Sequence, residues 1–94
     1  MRNYELLVVI QPDLDETAVS EINSKITGWI TDANGNIEKT DNWGKRRLAY
    51  QIRKQREGQY LLFQFSVAPS FTIELERNIR FLEPVMRHMV TLVE

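Results

Sequence analysis

The spacing of the hydrophobic residues limits the fold of this chain more than any other sequence feature. Apolar residues alternate with other residues from Tyr4 to Ile10, as in a half-buried strand. From Val19 to Ala33 they recur every three or four positions, as on the buried face of a helix. A second helical pattern starts at Phe71, and strand patterns cover residues 37–52, 59–67 and 85–93. The sequence therefore predicts the element order β-α-β-β-α-β.

This order contains two βαβ halves joined by a hairpin. Right-handed crossovers would place both helices on the same side of one four-stranded antiparallel sheet. We therefore predict an α+β fold of the ferredoxin-like type, with residues 1–94 forming a single domain. One face of the sheet would then lie open, and because such a fold carries many functions, the function must come from particular residues.

Residues that favour turns and caps mark where the elements begin and end. Asp13 with Glu16 predicts a capping box at the start of the first helix. Gly35 is predicted to end this helix in the left-handed conformation, which glycine adopts without steric cost. Gly44 predicts a bulge or bend within the second strand. Gly58 is predicted to supply the tight turn of the hairpin that follows.

The chain contains no cysteine and only one histidine, which removes several kinds of catalytic and metal site. His88 lies in the last predicted strand with no carboxylate at metal-ligand spacing, so we interpret it as a partly buried sheet residue. The carboxylates after Pro12 fit the start of a helix, and their loop has no arginine for acylphosphatase-like chemistry. We therefore expect no metal, no cofactor, no catalytic residue and no enzymatic activity.

Charge and hydropathy limit the partners of the chain. Its 12 Lys and Arg residues and 13 Asp and Glu residues give a net charge of −1. Nonspecific nucleic-acid affinity grows with the number of phosphates neutralised, so any contact with a nucleic acid must be local. No apolar run approaches the roughly 18 residues of a membrane span, and no signal-peptide cleavage site is present. We expect a cytoplasmic protein that does not bind membranes.

The predicted open face of the sheet combines apolar residues with cations at its margins. Strand alternation places six residues of the first, third and last strands there: Leu7, Val9, Tyr60, Leu62, Arg87 and Met89. Beyond Gly44, alternation is predicted to turn Leu48, Tyr50 and Ile52 toward the helices and Arg47 toward the open face. Because apolar side chains on an uncovered sheet face are unfavourable, this patch predicts a partner surface.

The aromatic residues of the third strand allow a comparison with the RNA recognition motif, which stacks unpaired bases on a sheet of this topology. The segment REGQYLLFQF, residues 56–65, resembles that motif only distantly. Tyr60 is placed to stack on a base, but Phe63 and Phe65 alternate toward the helices. We therefore interpret the two phenylalanines as core residues.

The run GKRRLAYQIR, residues 44–53, resembles the signature of the bacterial small-subunit ribosomal protein S6 family, G-x-K/R-polar-L-A/S-Y-x-I-K/R. The opening MRNYELLVVIQPDLDE is similar to the M-R-x-Y-E start of that family. The end, RFLEPVMRHMV, is similar to its last strand. The resemblance covers essentially the whole chain.

The resemblance implies a structural, non-catalytic protein in the central platform of the small ribosomal subunit. It implies binding to small-subunit rRNA as a heterodimer with ribosomal protein S18, and a monomer when the chain is isolated. Carried over to this sequence, RNA contact is expected at Arg2, Lys45, Arg46, Arg47, Lys54 and Arg87. Contact with the protein partner is expected at Leu7, Val9, Leu62 and Met89.

Arg2 and Arg87 fall on neighbouring strands of the predicted topology, so we expect them to address one phosphate cluster. A function of another class stays open beside the ribosomal one. In that alternative, the chain is a small-molecule-sensing or self-associating ferredoxin-like domain, whose open face pairs with a second copy of itself.

Overall fold

The computed structural model describes residues 1–93 and contains four strands and two helices. They are β1 (Arg2–Ile10), α1 (Glu16–Asp32), β2 (Asn36–Ile52), β3 (Gln55–Val67), α2 (Phe71–Arg80) and β4 (Val85–Leu92). The strands form one antiparallel sheet in the order β2-β3-β1-β4. This confirms the predicted element order and the ferredoxin-like fold. Within the described residues, neither helix is long and apolar enough to cross a membrane.

The core lies between one face of the sheet and the two helices. On the central strand β1, every second residue from Leu6 to Ile10 is fully buried, as the alternation predicted. Phe63 and Phe65 of β3 are also fully buried, which confirms their interpretation as core residues. From the helices, Ile22, Ile26 and Ile30 of α1 and Leu75 and Ile79 of α2 pack against these strands. Burial of each large side chain contributes about 1.5 to 3 kcal/mol, so this layer stabilises most of the fold.

The two ends of α1 differ from the prediction. The N-cap is Asp15 rather than Asp13, and its Oδ1 accepts a hydrogen bond of 2.9 Å from the backbone N–H of Ala18. At the other end, Asn34 adopts the left-handed conformation (φ 64°) that was predicted for Gly35. Gly35 is needed for space instead, because a Cβ there would lie 2.8 Å from the Ser66 carbonyl oxygen.

The turn between β2 and β3 also differs from the prediction. Arg53 and Lys54 form it, with φ angles of 51° and 65°. Two successive positive φ angles are typical of the tight two-residue turn that joins antiparallel strands. Gly58 lies inside β3 and is buried. A Cβ at this position would lie only 2.6 Å from Cγ1 of Val9, so no larger residue fits without movement of its neighbours. The glycine therefore permits close packing across the sheet and does not form the turn.

A bulge interrupts β2 at Gly44, as the sequence predicted. Asn42 pairs with Leu61 and Gly44 pairs with Tyr60, so Trp43 is an extra residue without a partner on β3. Gly44 has a φ of 76°, and its N–H donates a hydrogen bond of 2.7 Å to Oδ1 of Asn42. The bulge is therefore fixed by a conformation that favours glycine and by a local side-chain contact.

Candidate partner and nucleic-acid surfaces

The open face of the sheet brings together the four residues predicted to contact a protein partner. Leu7 of β1 lies between Leu62 of β3 and Met89 of β4. Leu7 and Leu62 are half-buried, and Met89 is 49% exposed. Val9 lies two positions further along β1, between Tyr60 and Arg87, and is buried. The four side chains therefore form one continuous apolar surface.

The end of the β2–β3 hairpin bends over part of this face. The hairpin and the sheet enclose an open groove of about 250 Å³. Its lining combines Leu48, Tyr50 and Ile52 of the hairpin with Leu7, Val9, Tyr60 and Met89 of the sheet. Val9 is therefore covered by the hairpin, while Met89 stays accessible at the rim of the groove.

The predicted direction of the residues after the bulge is wrong. Leu48 and Tyr50 line the open-face groove and do not face the helices, and Tyr50 is 60% exposed. Lys45 pairs with Gln59, whose side chain donates to backbone carbonyls in the loop just before α1. Lys45 therefore points to the side of the sheet that carries the helices. Arg47, two positions after Lys45, shares that side. β2 has two register shifts, one between Ile37 and Lys39 that was not predicted and one at the bulge, and together they keep Lys45 on the same face as Ile37. The unpredicted shift reverses the faces of the residues that follow it.

Two contacts fasten the hairpin end to the far side of the sheet. Nη1 of Arg87 donates a hydrogen bond to the Tyr50 hydroxyl, and its guanidinium lies 5.7 Å from the centroid of the Tyr50 ring. Nη1 of Arg53 donates to the Glu83 carbonyl oxygen at 2.8 Å. Arg87, for which the resemblance implies RNA contact, is thus also bound to the hairpin.

The hairpin concentrates the positive charge of the chain. Lys45, Arg46, Arg47, Arg53, Lys54 and Arg56 are six of the 12 Lys and Arg residues, and all six are exposed. Glu57 is the single carboxylate between residues 45 and 58. Four of these cations, Lys45, Arg46, Arg47 and Lys54, were expected from the sequence to contact RNA. Arg53 and Arg56 of the same hairpin were not. A count of charges along the predicted hairpin would have found them.

Arg2 lies at the other end of the sheet, far from the hairpin. It pairs with Val67, whereas Arg87 pairs with Val9. At about 3.3 Å per residue, the seven positions between Arg2 and Val9 correspond to about 23 Å. Arg2 and Arg87 therefore do not form one phosphate site, which corrects the expectation drawn from their neighbouring strands.

Trp43 forms an aromatic stack that sequence analysis did not identify. Its ring lies parallel to that of Tyr60, with an interplanar angle of 12° and 6.2 Å between the centroids. The guanidinium of Arg46 lies 5.7 Å from the centroid of Trp43. Asn42 pairs with the core residue Leu61, so strand alternation turns the indole of the next residue toward Tyr60 on the open side. Trp43 is 40% exposed, so part of its surface faces solvent.

His88 is half-buried on β4, which agrees with its interpretation as a sheet residue. Its Nε2 lies 3.5 Å from Oε1 of Glu76 on α2. Among residues 1–93, no three His, Asp or Glu side chains are close enough together to hold a metal ion.

Comparison with known proteins identifies the family. The family model described as Ribosomal protein S6 matches residues 3–91. The chain belongs to the ribosomal protein S6 family. The small ribosomal subunit protein bS6 of Moorella thermoacetica is 44% identical over 94 residues, covering 100% of this chain and 96% of the relative. That of Clostridium novyi is 46% identical over 90 residues, covering 96% and 95%.

A solved structure supports the same assignment. The crystal structure of 30S ribosomal protein S6 from Thermotoga maritima superposes on this chain with a TM-score of 0.92 at 27% sequence identity. The match covers 98% of this chain and 87% of that one. Membership of the S6 family gives the chain a structural, non-enzymatic role in the small ribosomal subunit. The signature residues 44–53 span the part of β2 from the bulge to the hairpin turn.

Proposed function

We propose that the chain binds small-subunit rRNA in the central platform as a heterodimer with ribosomal protein S18. In this arrangement residues 1–94 act as one domain, and the isolated chain is a monomer. The observation that carries the proposal is the position of the hairpin cations next to an uncovered apolar face, in a chain whose net charge is −1. The apolar face is assigned to the protein partner, and the hairpin to RNA.

The open face suits a protein better than a nucleic acid at its centre. Leu7, Leu62 and Met89 offer only apolar atoms there, and the groove beside them is mostly apolar. Protein interfaces commonly have such an apolar centre with a more polar rim. Arg87 stands at this rim, held by Tyr50. Val9 contributes from beneath the hairpin and is reached only through the groove.

The hairpin suits RNA because its cations are free to approach phosphates. Among residues 1–93, no carboxylate lies within salt-bridge distance of Lys45, Arg46, Arg47 or Lys54. β2 is an edge strand, so cations on both of its faces reach the same exposed edge. A small number of phosphate contacts gives a modest affinity and a shallow dependence on salt. Arg2 supplies a separate contact at the other end of the sheet.

A pair of matched substitutions tests the side assigned to the protein partner. Met89→Arg places a charge on the accessible part of the apolar surface beside Leu7, whereas Ile73→Arg places one on α2, where Ile73 is 68% exposed. Both sites are accessible, so both variants should fold. Titration calorimetry with purified S18 should show lost binding for Met89→Arg and normal binding for Ile73→Arg, because a buried unpaired charge is unfavourable.

Equal binding by the two variants would contradict the assignment of the open face. The self-associating alternative is tested by size-exclusion chromatography with light scattering on the chain alone. A stable dimer that Met89→Arg dissociates would favour that alternative over the heterodimer. A monomer at the same concentration agrees with the ribosomal proposal.

A further inference from the structure

The indole of Trp43 has no role in the surfaces assigned above, although its neighbours Tyr60 and Arg46 belong to them. Trp43 does not line the apolar groove, and the fold does not require it for the core, since it lies on the open side of an edge strand. A large aromatic side chain that is 40% exposed beside a cation has the composition of a nucleotide-binding surface.

The backbone around Trp43 is built to hold the indole in this position. The bulge leaves Trp43 without a partner on β3, and the contact between Asn42 and the N–H of Gly44 fixes the local conformation. Tyr60 then supports one face of the indole with its own ring. The indole is therefore held on the open side by the local backbone and by the Tyr60 ring.

We propose that Trp43 is a stacking platform for one unpaired nucleobase of the small-subunit rRNA, and that Arg46 binds the phosphate of the same nucleotide. This inference rests on the proposed function and extends it by a binding residue and a ligand class. Every base offers an aromatic face, so the platform does not require a particular sequence. The exposed contact between Arg46 and the indole is weak enough for a base to replace it.

The chemistry of the site favours a nucleotide over a protein side chain. Lys45 and Arg47 flank Arg46 on the opposite face of the same edge strand, so positive charge collects along this edge of the sheet. The nearest carboxylate along β2, Asp41, already lies 4.0 Å from Nζ of Lys39. An aromatic face beside a cation matches the two parts of a nucleotide, its base and its phosphate.

The test compares two replacements of similar size in the heterodimer with S18. Trp43→Phe keeps an aromatic face, and Trp43→Leu keeps an apolar side chain without one. Binding to a transcript of the rRNA central domain should weaken about tenfold to a hundredfold with leucine and less than about threefold with phenylalanine. Trp29→Leu, at the other tryptophan, on α1, is the control and should leave the affinity unchanged. Denaturant melts confirm that each variant is folded.

Salt dependence separates stacking from charge. Stacking releases no counterions, so Trp43→Leu should keep the wild-type slope of log affinity against log salt. Arg46→Gln should reduce that slope by about one unit or less. A Phe variant as weak as the Leu variant would overturn the inference, and so would equal affinities for Leu and wild type.

Pairing with S18 is measured first, by calorimetry. If Trp43→Leu weakened that pairing, the indole would belong to the protein interface and the inference would be wrong. If the wild-type heterodimer failed to bind the transcript, the proposed function would fail and the inference with it. Loss of RNA affinity in the Leu variant alone, with normal pairing and normal folding, is the result that supports it.

Discussion

The central strand β1 and the end of the β2–β3 hairpin show the same alternation of apolar residues, but these residues face opposite sides of the sheet. On β1, Leu6 and Val8 face the helices, as their positions predict. On β2 beyond the bulge, Leu48 and Tyr50 alternate just as regularly, yet they face the open side. Alternation therefore establishes which residues of a strand share a face, but the pairing register along the whole strand decides which face that is.

The two regions also differ in what stabilises them. The helix side of the sheet is held by burial of large apolar side chains such as Phe63 and Phe65. The hairpin end is held by Leu48 and Ile52, which are only half-buried in the groove, and by exposed contacts of Arg87 with Tyr50 and of Arg53 with Glu83. Exposed contacts contribute little, so the hairpin end should open at a much lower free energy than the sheet.

Substitution of one aromatic residue in each region should give the largest contrast. Phe63→Ala removes a fully buried ring and should lower the free energy of unfolding by about 3 to 5 kcal/mol. Tyr50→Ala removes a ring that is 60% exposed and should lower it by less than about 1 kcal/mol. Urea unfolding followed by circular dichroism measures both. Similar losses for the two variants would show that the hairpin end belongs to the core.

A pair of glycines tests whether the bulge depends on backbone conformation. Neither Gly44 nor Gly28 has an atom within 4 Å of an added Cβ, so steric clashes do not separate them. Gly44 has a φ of 76°, and Gly44→Ala should therefore destabilise the chain by about 1 kcal/mol. Gly28 lies inside α1, where alanine is favoured, and Gly28→Ala should stabilise by about 0.5 to 1 kcal/mol.

Thermal or urea melts of the two alanine variants give the comparison directly. If Gly44→Ala were as stable as the wild type, the bulge would not require the left-handed conformation.

The helices and strands could be predicted from the sequence wherever apolar residues recur at a regular spacing along the element. The errors occurred where two residues were equally suitable for one role. Asp13 and Asp15 are both good helix caps, and the structure uses the second, whose side chain accepts from the Ala18 N–H. Gly58 is the preferred turn residue, but the strand register places Arg53 and Lys54 in the turn. No local pattern shows this choice, because it depends on pairing between distant residues.

The candidate site was predicted only in part for a related reason. Leu7, Leu62 and Met89 meet as expected, because the strand pairing is regular at these residues. The register shift between β1 and β4 occurs further along, between Val9 and Ile10. Gly44 indicated a bulge, but the sequence did not show that Trp43 is the extra residue. The sequence also did not show the register shift between Ile37 and Lys39, so the faces of the signature run were reversed and the aromatic stack was missed.

The smallest expected effect concerns the contact that closes the hairpin over the sheet. Tyr50→Phe removes the hydroxyl that accepts from Arg87 but keeps the ring beneath the guanidinium. Because the site is exposed, the free energy of unfolding should change by less than about 0.5 kcal/mol. Amide hydrogen exchange of residues 48–54 should nevertheless become a few times faster, since the hairpin end opens separately from the sheet. Tyr4→Phe, on the buried side of β1, is the control and should leave exchange in the hairpin unchanged. Unchanged exchange in Tyr50→Phe would mean that the ring and Arg53 alone hold the hairpin in place.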